Sequence, residues 1–241
     1  METQALLRWL YVALMAAGAL TFWGLSRNPR RVPGLEYLIA LLIPVWSGAA
    51  YLAMAMGQGS VELAGRTVYY ARYLDWVVTT PLLLLALALT AMYRGPKSKT
   101  LIAGLIGADI IMIVSGLVAD LSGEPMRFVW FIFGCVSFLV VLYMVWGPLH
   151  AIAKSRGPEH GRSFVQLATF LTVLWIVYPT AWIIGPSGFG WVGSTTDWVL
   201  FTVTPFFSKV VFSLFDLYLL RKMSRDAPLE EKRPATEPHP V

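Results

Sequence analysis

The chain has 241 residues, 57% of them hydrophobic and 14% charged, with a mean hydropathy of +0.63 and a formal charge of +5. Soluble domains carry about 25% charged residues, so this composition excludes a soluble enzyme and indicates an integral membrane protein. One cysteine, Cys135, excludes a disulfide framework, and three scattered histidines offer no metal cluster.

Seven apolar stretches reach the roughly 20 residues a membrane helix needs. They lie near 4–25, 35–56, 69–92, 101–119, 127–147, 164–184 and 196–220, which predicts an all-α bundle of seven transmembrane helices. The first stretch carries Arg8 and Trp9 and lacks a small-residue cleavage pattern, so it reads as a span and not as a signal peptide. Short turns such as Arg27-Asn-Pro-Arg-Arg31, Gly57-Gln-Gly-Ser60 and Arg94-Gly-Pro-Lys97 make neighbouring helices antiparallel. Arg27, Arg30, Arg31, Arg94, Lys97, Lys99, Lys154, Arg156, Arg162 and the C-terminal basic residues fall on one side; the other holds Arg8, Arg66 and Arg127. This asymmetry puts the N-terminus outside, the C-terminus in the cytoplasm and the chain in the plasma membrane. The positive charge therefore follows topology and implies no nucleic acid. Residues 1–222 form one domain; 223–241 form a cytoplasmic tail, Pro- and Glu-rich from Asp226 and expected to be disordered.

In the second helix, Glu36 stands at the cytoplasmic start, either as a proton-handling group or as an interfacial charge. The third helix places Arg72, Asp75 and Thr79 at i, i+3 and i+7, on one face. Ionisable groups inside a span face the bundle interior and pair. Asp75 is the best-placed anion for a buried cation; a structural Arg72–Asp75 pair is the alternative. Trp130 and Phe131 in the fifth helix, with Trp76 in the third, add aromatic bulk. Trp175, Tyr178 and Trp182 recur on one face of the sixth helix, as ordinary bundle packing or as walls for a long apolar ligand. Trp9, Trp146, Trp191 and Trp198 read as an interfacial aromatic belt.

The seventh helix contains Lys209, the only lysine inside an apolar segment. A lysine at the centre of a membrane helix costs about 2.5–3.5 kcal/mol on insertion scales. Chemistry offers a reason to keep it: a desolvated amine can form a Schiff base with an aldehyde. Asp197, twelve residues earlier, is either an extracellular relay or a solvated helix-start carboxylate. Asp216, seven residues later, lies on the same face and about 10 Å nearer the cytoplasm. It is either a proton acceptor or a helix-end carboxylate neutralised by nearby bases.

The mid-helix lysine, Arg72-Tyr-Leu-Asp-Trp-Val-Val-Thr-Thr-Pro81 and Trp175-x-x-Tyr-Pro-x-x-Trp182 resemble the microbial rhodopsins, over residues 1 to about 222. The resemblance implies all-trans retinal on Lys209 as a protonated Schiff base, with Asp75 as counterion and Arg72 on its extracellular side. It implies a pocket of Trp76, Met112, Gly116, Trp175, Tyr178 and Trp182, and a Thr80–Asp109 bond between helices three and four. Two positions depart from outward proton pumps. Pro205 stands four residues before the lysine, where they carry a second carboxylate. Ala86 stands eleven residues after Asp75, where they carry a proton donor. Pro205-Phe-Phe-Ser208-Lys209, Ile43-Pro-Val-Trp-Ser-Gly48 and Leu25-Ser-Arg-Asn-Pro-Arg30 are similar to the xenorhodopsin branch, and put Pro205 and Ser208 beside the chromophore. That branch includes inward proton pumps and a photosensor with a soluble transducer. The resemblance thus implies an inward pump ending at Asp216, with sensing as the alternative, and a homo-oligomer such as a trimer in the lipid bilayer.

Overall fold

The computed structural model describes residues 2–63 and 65–226. Among them, seven helices are long and apolar enough to cross a membrane: α1 Glu2–Ser26, α2 Gly34–Ala55, α3 Tyr70–Ala91, α4 Lys99–Leu121, α5 Met126–Ser155, α6 Pro158–Ile184 and α7 Ser194–Arg225. The expected seven-helix bundle is therefore present. The greater part of the predicted tail, 227–241, lies outside the described residues.

Two features were not expected. Strands β1 (Val61–Leu63) and β2 (Arg66–Val68) form an antiparallel hairpin between α2 and α3, pairing Val61 with Val68. The stretch expected as a loop at 148–163 is helical except at Arg156 and Gly157. Gly157, at φ +117, makes the turn that a side chain would strain, and Pro158 opens α6 where its missing N–H costs nothing.

Burial separates the central helices from the lipid-facing ones. In the apolar window of α3, 67% of residues are buried, against 17% in α4 and in α5. Exposed Leu20, Ile132, Leu139 and Val173 then mark the surface turned to lipid. Leu83, Leu87, Phe164, Leu167 and Leu171 close the core toward the face carrying Arg94 and Arg156, called here the basic face. The hairpin lies on the opposite face.

Pro205 decides the course of α7. Proline has no N–H for the carbonyl of Phe201, four residues back. The Tyr51 hydroxyl of α2 donates to that carbonyl at 2.6 Å instead. Directly after it, Phe207–Val211 forms a π-helical turn, and Lys209 sits in its middle. Such turns recur at functional sites, because the wider loop re-aims a side chain.

Candidate functional site

Asp75 and Lys209 meet at the centre of the bundle, both fully buried. Lys209 Nζ donates to Asp75 Oδ2 and, at 2.8 Å, to Ser47 Oγ. Ser47 gives its one proton to Asp75 Oδ2 at 2.9 Å, so it must accept from Tyr11, whose hydroxyl lies 2.7 Å away. Thr79 Oγ1 donates to the Asp75 carbonyl at 2.9 Å and approaches Oδ1 at 3.3 Å. One carboxylate, three hydroxyls and one amine thus satisfy each other where Pro205 supplies no second carboxylate. Breaking a buried pair of this kind by removing one partner costs about 3–5 kcal/mol.

Arg72 is buried but does not bond Asp75. Its Nη1 donates to Asp197 Oδ2 at 2.8 Å, and its guanidinium lies over Trp198, Phe201 and Tyr69. The intrahelical Arg72–Asp75 alternative is therefore corrected: position i+3 shares a face, but the guanidinium extends toward the hairpin face. Asp197, 8% exposed, is likewise no solvated helix-start charge. Arg72 and Asp197 line a polar cavity of about 280 Å³ beneath the hairpin, with Arg66 and Asp120. Arg66 pairs with Asp120 at 3.2 Å; Tyr73 donates to Asp120 at 3.3 Å and accepts from Trp182 Nε1 at 3.1 Å. Trp198, assigned from sequence to the interfacial belt, is fully buried against Arg72 and Tyr51.

A second, almost wholly apolar cavity of about 100 Å³ starts at Trp76, beside Asp75. Met112, Gly116, Phe131, Trp175, Tyr178 and Trp182 line it, with Phe131 stacked on Trp182 at 4.5 Å. Gly116 keeps it open: a Cβ there would meet Tyr73 at 3.2 Å. Tyr178 bonds Ser208, the neighbour of Lys209, at 3.0 Å. These residues fit a long, flat, apolar group attached at Lys209. Trp130 is corrected, since it packs edge-on against Phe133 and is not in the wall. Phe201, Ile113, Cys135 and Phe138 are wall residues that sequence reading missed.

At the cavity's α3–α4 edge, Thr80 donates to Asp109 at 2.7 Å. Asp109 is fully buried, and its Oδ1 has no partner. Thr80→Val is expected to cost about 1–3 kcal/mol, since it strips the carboxyl of its remaining bond. Thr80→Val combined with Asp109→Leu should recover most of that loss in a thermal bleaching curve; additive losses would exclude the coupling.

Toward the basic face, Asp216 accepts from Thr90 at 2.6 Å and is 3% exposed. Ser213, four residues after Lys209 and three before Asp216, is buried with no partner for Oγ. Glu36, 5% exposed, has an unpartnered Oε2 and lines a cavity of about 400 Å³ shared with Arg31, Arg94 and Lys97. Lys97 Nζ donates to the Met92 carbonyl at 2.6 Å; its partial burial lowers its pKa, against the opposing pull of Glu36. Ser213 carried one legible signal, a hydroxyl at helical spacing from Lys209 and Asp216; Ser47 and Thr90, whose ionisable partners lie on other helices, carried none.

The family of bacteriorhodopsin-like proteins matches residues 2–223. Archaerhodopsin-1 of Halorubrum ezzemoulense is 41% identical over 215 residues, covering 85% of this chain and 80% of that protein. The crystal structure of the thermophilic rhodopsin from Rubrobacter xylanophilus superposes with a TM-score of 0.87 at 38% identity, covering 92% of this chain and 99% of that one. That of the light-driven proton pump from Coccomyxa subellipsoidea gives 0.84 at 29% identity, covering 90% and 97%.

Proposed function

The chain belongs to the bacteriorhodopsin-like family, which holds retinal on a lysine, and we propose that within it this protein is a light-driven inward proton pump of the xenorhodopsin type. The observation that carries the reading is a carboxylate at Asp216, anchored by Thr90, on the basic side of Lys209. The basic face is then cytoplasmic, as the asymmetry of Lys and Arg requires.

Retinal bound at Lys209 would supply light absorption and isomerisation. Trp76, Trp175, Tyr178 and Trp182 would hold its chain by contact area, and Lys209 by covalent attachment. Before light, Asp75 and Ser47 hold the proton at Nζ by charge and hydrogen bond. On the basic side of Lys209, α7 carries the Ser213 hydroxyl, one helical turn on, and Asp216 beyond it. Asp216 accepts the proton; Glu36 and its cavity pass it to the cytoplasm. Arg72, Asp197 and the polar cavity under the hairpin return a proton from outside to the Asp75 side.

Two further positions support this direction. Ala86, buried and apolar, holds no proton to send outward. Pro205 leaves Asp75 as the single carboxylate beside Lys209. Asp216→Asn is expected to keep the visible band within a few nanometres and to slow or abolish flash-induced proton release on the basic side by at least tenfold. A pH dye confined to that side of sealed vesicles reads it. Unchanged release kinetics would remove Asp216 from the path.

A further inference from the structure

Between the basic ends of α1 and α7 lies a groove of about 770 Å³, distinct from the Glu36 cavity but sharing Arg31 with it. Its rim is cationic, with exposed Arg30, Arg31 and Lys222. Its floor is apolar, formed by Leu214, Leu217 and the 62% exposed ring of Tyr218. The groove is built by its own hydrogen bonds. Arg221 donates to the carbonyls of Leu25 and Asn28 and to the Tyr37 hydroxyl, at 2.8–3.0 Å. Ser224 donates to the Arg30 carbonyl at 3.2 Å. These bonds fix the α1–α2 turn against α7 and leave the Arg30, Arg31 and Lys222 side chains outside the four ion pairs found among the described residues.

We propose that this groove binds one anionic phospholipid, its phosphate against Arg30, Arg31 and Lys222 and an acyl chain along Leu214, Leu217 and Tyr218. Position and chemistry select that occupant. The groove lies at the basic ends of the spanning helices α1 and α7, and Tyr218 continues the exposed apolar face of α7 formed by Val203 and Phe207. A cationic rim over an apolar floor matches a ligand with an anionic head and an apolar tail, and basic pockets between helices on this side of a membrane take such head groups. A soluble acidic partner would leave the floor uncovered. The chain's own segment 227–241 is a poor match, because Glu230, Glu231 and Glu237 are offset by Lys232 and Arg233.

Native mass spectrometry of the full-length, retinal-loaded protein, titrated with phosphatidylglycerol or phosphatidylcholine, tests the site. One tightly retained phosphatidylglycerol is expected, at least tenfold preferred over phosphatidylcholine. Arg30→Gln/Arg31→Gln/Lys222→Gln is expected to lose that preference. Arg94→Gln/Lys99→Gln/Lys154→Gln, which removes equal charge elsewhere on the same face, is expected to keep it. Equal retention of the two lipids, or equal loss in both triple variants, would reduce the effect to general surface charge and overturn the site. Phosphatidylglycerol binding that appears only when the chain is ended at Asp226 would assign the groove to the tail. Displacement of the lipid by millimolar inorganic phosphate alone would show that the floor contributes nothing and would also overturn the proposal.

Discussion

Lys209→Ala is expected to give a protein with no visible absorption band after addition of retinal. Lys209 is fully buried, and its neighbour Ser208 bonds Tyr178 of the aromatic cavity wall; among the described residues the other lysines, Lys97, Lys99, Lys154 and Lys222, lie toward the basic face. No other described amine reaches the space between Trp76, Trp175 and Trp182. The substitution also leaves the charge of Asp75 uncompensated, and breaking a buried ion pair in this way costs about 3–5 kcal/mol. Loss of colour alone would therefore be ambiguous between misfolding and a missing attachment point. Lys209→Ala with Asp75→Asn separates the two. Removing both charges should restore most of the thermal stability while the protein stays colourless. A coloured Lys209→Ala protein would contradict the attachment.

The second large effect is at Asp75. Asp75→Asn is expected to shift the visible band to longer wavelength by tens of nanometres and to abolish transport. Asp75 stabilises positive charge at the Lys209 nitrogen, and excitation moves that charge away from it. The ground state is therefore stabilised more than the excited state. An ion pair at 4 Å is worth about 4 kcal/mol at an effective dielectric of about 20, against a visible photon of roughly 50 kcal/mol. Losing that difference narrows the gap by enough to measure in a cuvette. Ser47→Ala should shift the band in the same direction and by less, since it removes one hydrogen bond and leaves the charge. An unmoved band in Asp75→Asn would place the counterion elsewhere, and Asp197 would be the residue to test next.

The sequence exposed the parts of this molecule that depend on rarity. Lys209 and Asp75 stand out because charges in apolar spans are costly, and the structure brings them together. Helix number followed from apolar run length, and Pro205 from its spacing to Lys209. What stayed hidden depends on tertiary direction. Arg72 lies one helical turn from Asp75, yet its guanidinium reaches Asp197, 125 residues away. Spacing gives the face of a helix, not the reach of a long side chain along it. Tyr11, Ser47 and Tyr51 look ordinary in α1 and α2; their roles appear once α7 lays Lys209 and the Phe201 carbonyl against them. Trp198 was misassigned because an aromatic near a helix end is at the interface only if it faces lipid. The helical 148–163 stretch was missed because Pro148 and Gly157 are turn signals; the chain absorbs Pro148 in a second π-helical turn, Val145–Leu149.

The direction of proton movement is the central claim. Cells containing the full-length protein and retinal are suspended in weak buffer and illuminated, with and without a protonophore, while external pH is recorded. A light-driven rise in external pH that the protonophore abolishes is the predicted result. A fall in external pH would mean outward pumping despite Ala86 and would contradict the path through Asp216; a coloured, photoactive protein that leaves pH unchanged would contradict pumping and assign the photocycle to signalling.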